Sequence, residues 1–114
     1  MKQGRVAEAV GYYEQAILHK PDFAEAHANL GVALTHAGQF EKAAEHLKVA
    51  LHYDPEFAEA HNSLGIALAK LGDPAGALHH YREAIRIKPE FVLARNNLET
   101  ELAKQARGSV LEKR

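Results

Sequence analysis

The chain has no cysteine and no tryptophan, and aromatic residues make up only 7% of it. Without cysteine there is no disulfide framework, no thiolate ligand and no thiol nucleophile. With so few large side chains, a core has to come from helices packed closely around small residues. An excess of either charge is also missing: 14 Lys and Arg against 15 Asp and Glu leave a formal net charge of −1. That removes the electrostatic case for nucleic acid or an anionic membrane as partner. No apolar run approaches the roughly 18–20 residues of a membrane span, and no signal-peptide pattern is present. These absences favour a soluble protein of a reducing compartment, the cytoplasm first. Catalytic signatures are lacking as well: no Gly-rich phosphate loop, no serine elbow and no spacing that pairs carboxylates. The acids fall on solvent faces or at helix starts, where they suit the helix dipole. Neither an enzyme nor a cofactor is expected.

What the chain does have is a period of thirty-four. Phe23-Ala24-Glu25-Ala26-His27 returns as Phe57-Ala58-Glu59-Ala60-His61, and Leu30-Gly31 returns as Leu64-Gly65. Gly38, Ala43, His46 and Ala50 recur as Gly72, Ala77, His80 and Ala84, while Pro21, Pro55 and Pro89 keep the interval. Aligning 24–57 with 58–91 gives 15 identities in 34 positions. A fixed period of this length is the mark of a solenoid.

Apolar residues at three- and four-residue spacing predict six short helices. The first, 4–20, carries Val6, Val10, Tyr13 and Ile17 on one face and ends at Pro21. The second, 23–37, starts from Asp22 as N-cap and ends on Gly38, where a positive φ is expected. The third spans 40–53 and stops at Asp54-Pro55, and the fourth spans 57–71 and stops at Gly72. The fifth starts from Asp73 as cap with Pro74 in the first turn and ends before Pro89. The sixth begins near Glu90, carries Ala94, Leu98 and Leu102, and either stops at Gly108 or runs on, with 109–114 a final turn or a frayed end. No strand alternation competes. Short loops predict an up-down order in which each helix packs on its neighbours. Gly31 and Gly65 sit inside helices at a cost of about 1 kcal/mol each. Close approach of a neighbouring helix explains them, and Ala43, Ala50, Ala77 and Ala84 are expected to allow the same from the partner helix.

These residues resemble the tetratricopeptide repeat. Leu30-Gly31, Leu34, Gly38, Ala43, Leu47, Ala50 and Pro55 spell one copy. Leu64-Gly65, Leu68, Gly72, Ala77, Tyr81, Ala84 and Pro89 spell the next. His27 and His61 stand where many copies have tryptophan, and Glu99 stands where the period predicts glycine. The resemblance implies an all-α, right-handed α-solenoid of antiparallel helix pairs, forming one domain over 1–114. Residues 1–23 read as the second helix of a partial repeat, 24–57 and 58–91 as full repeats, and 92–114 as a terminal or capping helix and tail. The chain then opens and closes on complementary half repeats, so either it belongs to a longer solenoid or its first apolar face finds other cover.

The resemblance further implies that the first helix of each pair lines a concave groove. Its expected lining is Asn29, Val32, Asn62, Ser63, Ile66, Asn96, Asn97 and Thr100, a ladder of uncharged amides like that of the O-GlcNAc transferase superhelix. An asparagine amide matches the N–H and C=O of a peptide group, so a protein or peptide partner held by its backbone is expected. The other reading of these asparagines is a bond to a neighbouring helix. Glu25, Glu59, Asp22, Glu56 and Glu90 mark one rim; His36, Lys70 and Lys104 mark the other. Chaperone-binding relatives grip a terminal carboxylate with basic residues, but Ala28, Val32, Glu59, Ser63 and Leu93 occupy those places here. The alternative function is self-assembly into a dimer or filament. In it, Val6, Val10, Tyr13 and Ile17 of one copy meet Leu98 and Leu102 of the next, a heterologous contact. Eight histidines raise a metal site, yet one-repeat partners lie on stacked helices about 8–10 Å apart, too far to share a zinc at about 2.0–2.1 Å. No metal is expected, and His27 and His61 read as packing residues at the repeat junction.

Overall fold

The structure is a computed structural model and describes residues 2–20 and 23–112. Six helices follow one another: α1 Lys2–His19, α2 Ala24–His36, α3 Phe40–Tyr53, α4 Ala58–Lys70, α5 Pro74–Ile87 and α6 Val92–Glu112. There is no strand among the described residues. The closest pairings are α2 with α3 and α4 with α5. α1 adds to α2, α3 to α4 and α5 to α6, and α4 also touches both α2 and α6. The result is an all-α solenoid of antiparallel helix pairs, 54 × 31 × 21 Å.

Local chemistry sets the helix ends. α2 begins at Ala24, with Phe23 rather than Asp22 in the cap position; its φ of −79° and ψ of 94° are extended and its side chain makes no cap bond. Asp22 itself lies outside the described residues. Phe57 does the same for α4. Each phenylalanine carbonyl accepts the first helical bond, from His27 N–H at 3.1 Å and His61 N–H at 3.2 Å. Phe91 repeats this for α6, accepting from Arg95 N–H at 3.2 Å. Asp73 is a true side-chain cap, its Oδ1 accepting from Gly76 N–H at 3.0 Å ahead of Pro74 in the first turn. Gly38 and Gly72 have φ of 79° and 85°. That geometry lets Gln39 N–H reach Leu34 O and Asp73 N–H reach Leu68 O, both at 2.9 Å, as in a Schellman ending. α6 runs through Gly108 to Glu112.

The core lies between the two helix pairs. Leu30, Leu47 and Leu64 are its largest fully buried side chains, set among Ala43, Ala50, Ala60 and Ala67. The glycines are contact points, and large side chains of the partner helix sit on them. A Cβ at Gly31 would lie 2.5 Å from Leu47 Cγ, and one at Gly65 would lie 2.5 Å from Tyr81 Cε1. The alanines at 43, 50, 77 and 84 are fully buried on the same partner helices and let those helices come close. Tyr81, held in this seat, has its hydroxyl pKa pushed up to about 12, by burial first and by the nearby Glu101 second.

The first apolar face is not bare. Val10, Tyr13 and Ile17 pack against the core and are half-buried. The strongly exposed apolar residues of α1 are Tyr12 and Leu18 instead. Val6 is half-buried as well, and α1 packs along α2.

Candidate functional site

α2, α4 and α6 lie side by side and contribute the residues expected to line a groove. Asn29 and Val32 are half-buried on α2, as are Ile66 on α4 and Asn97 on α6. Asn96 and Thr100 are exposed. Asn62 and Ser63 differ: they are only 6% and 8% exposed. Asn97 Nδ2 donates to Asn62 Oδ1 at 2.9 Å, joining α6 to α4. Asn62 thus serves a helix–helix contact, and its amide is not an open rung. The Thr100 hydroxyl donates to the Asn96 carbonyl at 2.9 Å and the Thr35 hydroxyl to the Gly31 carbonyl at 2.8 Å. Both turn their protons onto their own helix, a common habit of helical threonine.

Asn29 and Val32 open into a cleft of about 260 Å³ whose far wall is α1, through Arg5, Val6, Ala9 and Tyr13. Two residues expected to mediate self-association, Val6 and Tyr13, therefore line the end of the groove. A larger cleft of about 740 Å³ continues past Val6 and Val10 to His36, Ala37 and Gln39. At the other end Leu93 is 63% exposed, Leu98 is half-buried and Leu102 is exposed. On the acidic rim, Lys88 pairs with Glu59 at 3.4 Å, and Arg86 bridges Glu56 at 2.6 Å and Glu83 at 3.2 Å. Hydrogen bonding to Arg86 holds the Glu83 carboxyl below its ordinary pKa.

Two features lie outside the helical periodicity. Glu101 of α6 is 8% exposed, although the acids read as solvent-facing; it takes the register of Ala33 and Ala67. The histidines form pairs within each repeat. His27 meets His46 with the Nδ1 atoms 3.2 Å apart, and His61 meets His80 at 3.0 Å. The constant offset of 19 residues in both copies was the available signal. The thirty-four-residue period relates His27 to His61 and His46 to His80 instead. Burial first and the facing His27 second lower the pKa of His46. Burial, His61 and His79, in that order, lower that of His80 to about 4. Among the described residues no three His, Cys, Asp or Glu side chains gather as a metal ion requires, and no helix is long and apolar enough to cross a membrane.

Comparison with known proteins places this geometry. Tetratricopeptide-repeat family models match residues 1–66 and 58–91. The Sgt2 tetratricopeptide domain from Aspergillus fumigatus is 28% identical, with a TM-score of 0.87 over 93% of this chain and 72% of that one. The first tetratricopeptide unit of Spaghetti (RPAP3), solved bound to the HSP90 peptide SRMEEVD, is 22% identical, with a TM-score of 0.87 over 92% and 83%. An O-GlcNAc transferase from Thermobaculum terrenum is 26% identical, with a TM-score of 0.83 over 89% of this chain but 19% of that one. No curated protein sequence matches the chain. With one family model covering more than half of its length and the helix pairs in the matching order, the chain belongs to the tetratricopeptide-repeat family.

Proposed function

We infer that the chain is a noncatalytic interaction scaffold that holds an extended segment of another protein along α2, α4 and α6. The observation that carries this is the half-buried row of Asn29, Val32, Ile66 and Asn97, opening at one end into the cleft against α1. Two aliphatic side chains lie there between two amides, one of which, Asn97, also bonds Asn62; the mixture suits a peptide held by its backbone and by small apolar side chains. The peptide-bound fold of Spaghetti supports a peptide as the class of ligand. Its acidic peptide is a poor guide to the sequence bound here. Ala28, Val32, Glu59, Ser63 and Leu93 supply no basic side chain where a carboxylate clamp would stand, so a neutral or basic segment is favoured.

End-to-end self-assembly is the other reading, and one contact weighs against it. Stacking α6 of one copy on α1 of the next would rebuild a repeat with Glu99 in the register of Gly65 and Tyr13 in that of Tyr81. Even a Cβ at Gly65 overlaps the tyrosine ring, so a glutamate there leaves no room for a native-like junction.

The test is panning a displayed library of random peptides on the full chain, then comparing dissociation constants for the wild type and N29A/N96A. The variant is expected to bind the enriched peptides at least about tenfold more weakly, with unchanged helical circular dichroism. Equal affinity, or no enrichment, would overturn the reading.

A further inference from the structure

The two histidine pairs are the same device built twice. In each, the ring-centroid distance, 5.4 Å for His27–His46 and 5.2 Å for His61–His80, nearly equals the Nδ1–Nδ1 distance plus the two ring radii. The rings therefore meet edge to edge and close to coplanar, with interplanar angles of 24° and 27°. Their nitrogens point head-on, the geometry of an N–H···N hydrogen bond and not of face-to-face stacking.

For His61 and His80 the protons can be placed. His61 Nε2 lies 2.9 Å from the Pro55 carbonyl oxygen, which only accepts, so Nε2 carries a hydrogen. In the neutral ring Nδ1 is then a bare acceptor, and His80 must donate from its own Nδ1. One added proton can sit on His80 Nε2 with this bond intact. A second would turn two Nδ1–H groups and two positive rings against each other at 3.0 Å, and the bond would be lost.

We propose that the His27–His46 and His61–His80 pairs are acid-sensitive locks that tie α2 to α3 and α4 to α5, and that full protonation releases them. The proposal goes beyond peptide binding and does not depend on it. The surroundings favour release in acid. His80 faces His61 from α4, His79 and Glu83 on its own helix and Lys48 from α3. His46 faces His27 from α2, Glu14 from α1, and Glu45 and Lys42 on its own helix. In both cases burial and the partner ring outweigh the carboxylates. The sign follows from linkage. Below the ordinary histidine value of 6.5 the unfolded chain takes up protons that the folded His80 refuses until about pH 4. Stability tied to the neutral His80 ring is thus complete above 6.5 and lost as pH falls toward 4, and the bond itself goes only with the second proton.

The test combines NMR titration of the full chain, labelled with ¹⁵N at histidine, with thermal melts of the wild type and H46N/H80N. Asparagine keeps an N–H near the Nδ1 position and cannot take a proton. His46 and His80 are expected to titrate below 6.5, with His80 carrying its proton on Nδ1 at neutral pH. Between about pH 7 and pH 4 the wild-type Tm should fall by at least roughly 4 °C more than that of the variant. Titration of both rings at or above 6.5, a bare His80 Nδ1 at neutral pH, or equal acid losses in the two proteins would overturn the proposal. If the variant does not fold, the wild-type titration alone decides.

Discussion

At Gly65 any other residue would drive its Cβ to 2.5 Å from the Tyr81 ring. Tyr81 is itself buried and has nowhere to move. Gly65→Ala gains about 1 kcal/mol of helix propensity and meets overpacking that costs about 1–3 kcal/mol, so a net loss of stability is expected. Gly11 is the control, being a helical glycine with nothing within 4 Å of an added Cβ. Gly11→Ala should stabilise by up to about 1 kcal/mol. Urea unfolding of the two variants checks the pair; equal effects would mean that the Tyr81 contact does not set the cost. The need for glycine could be read from the sequence, since only close approach justifies that residue twice in a helix. Which side chain approaches could not, because periodicity orders one helix and leaves its rotation against the next undetermined.

Among the elements, only α5 carries a side-chain N-cap bond among the described caps, that of Asp73. Asp73→Ala should cost about 1 kcal/mol, read as an earlier urea midpoint with unchanged slope. An unshifted midpoint would mean that Pro74 alone starts the helix. The expected Asp22 cap illustrates how local signals mislead. A good capping residue precedes α2, yet the helix opens one residue later, from the Phe23 carbonyl. The repeat holds the better cue, because phenylalanine stands at 23, 57 and 91 alike. Arg95 shows the same economy at the histidine position: its Nε donates to the Pro89 carbonyl at 2.7 Å, the bond His61 makes to Pro55 one repeat earlier.

For the whole molecule, the expectation that it stays monomeric rests on one residue of α6. Glu99 is exposed on α6 in the register of the glycines at 31 and 65, and a glutamate there is expected to block a native-like junction with a second copy. Sedimentation velocity of the wild type should give one species near 12.5 kDa across a wide concentration range, while Glu99→Gly should shift toward larger species as concentration rises. A wild type that grows with concentration would show that another face, such as the exposed Tyr12 and Leu18 of α1, governs association.

The sequence by itself determined the helices, their order and the repeat that stacks them. Those features rest on local propensity, on breakers such as Pro55 and Gly38, and on a period that survives in a linear string. It also carried the candidate groove as a list of register positions. Only the tertiary structure decided which of those positions are available. Asn62 and Asn96 share one register position, but the first is buried against Asn97 while the second is exposed. The histidine pairs belong to the same class. Their 19-residue spacing becomes a contact only when two antiparallel helices fix their relative depth, and that depth follows from how Leu47 and Tyr81 seat on Gly31 and Gly65.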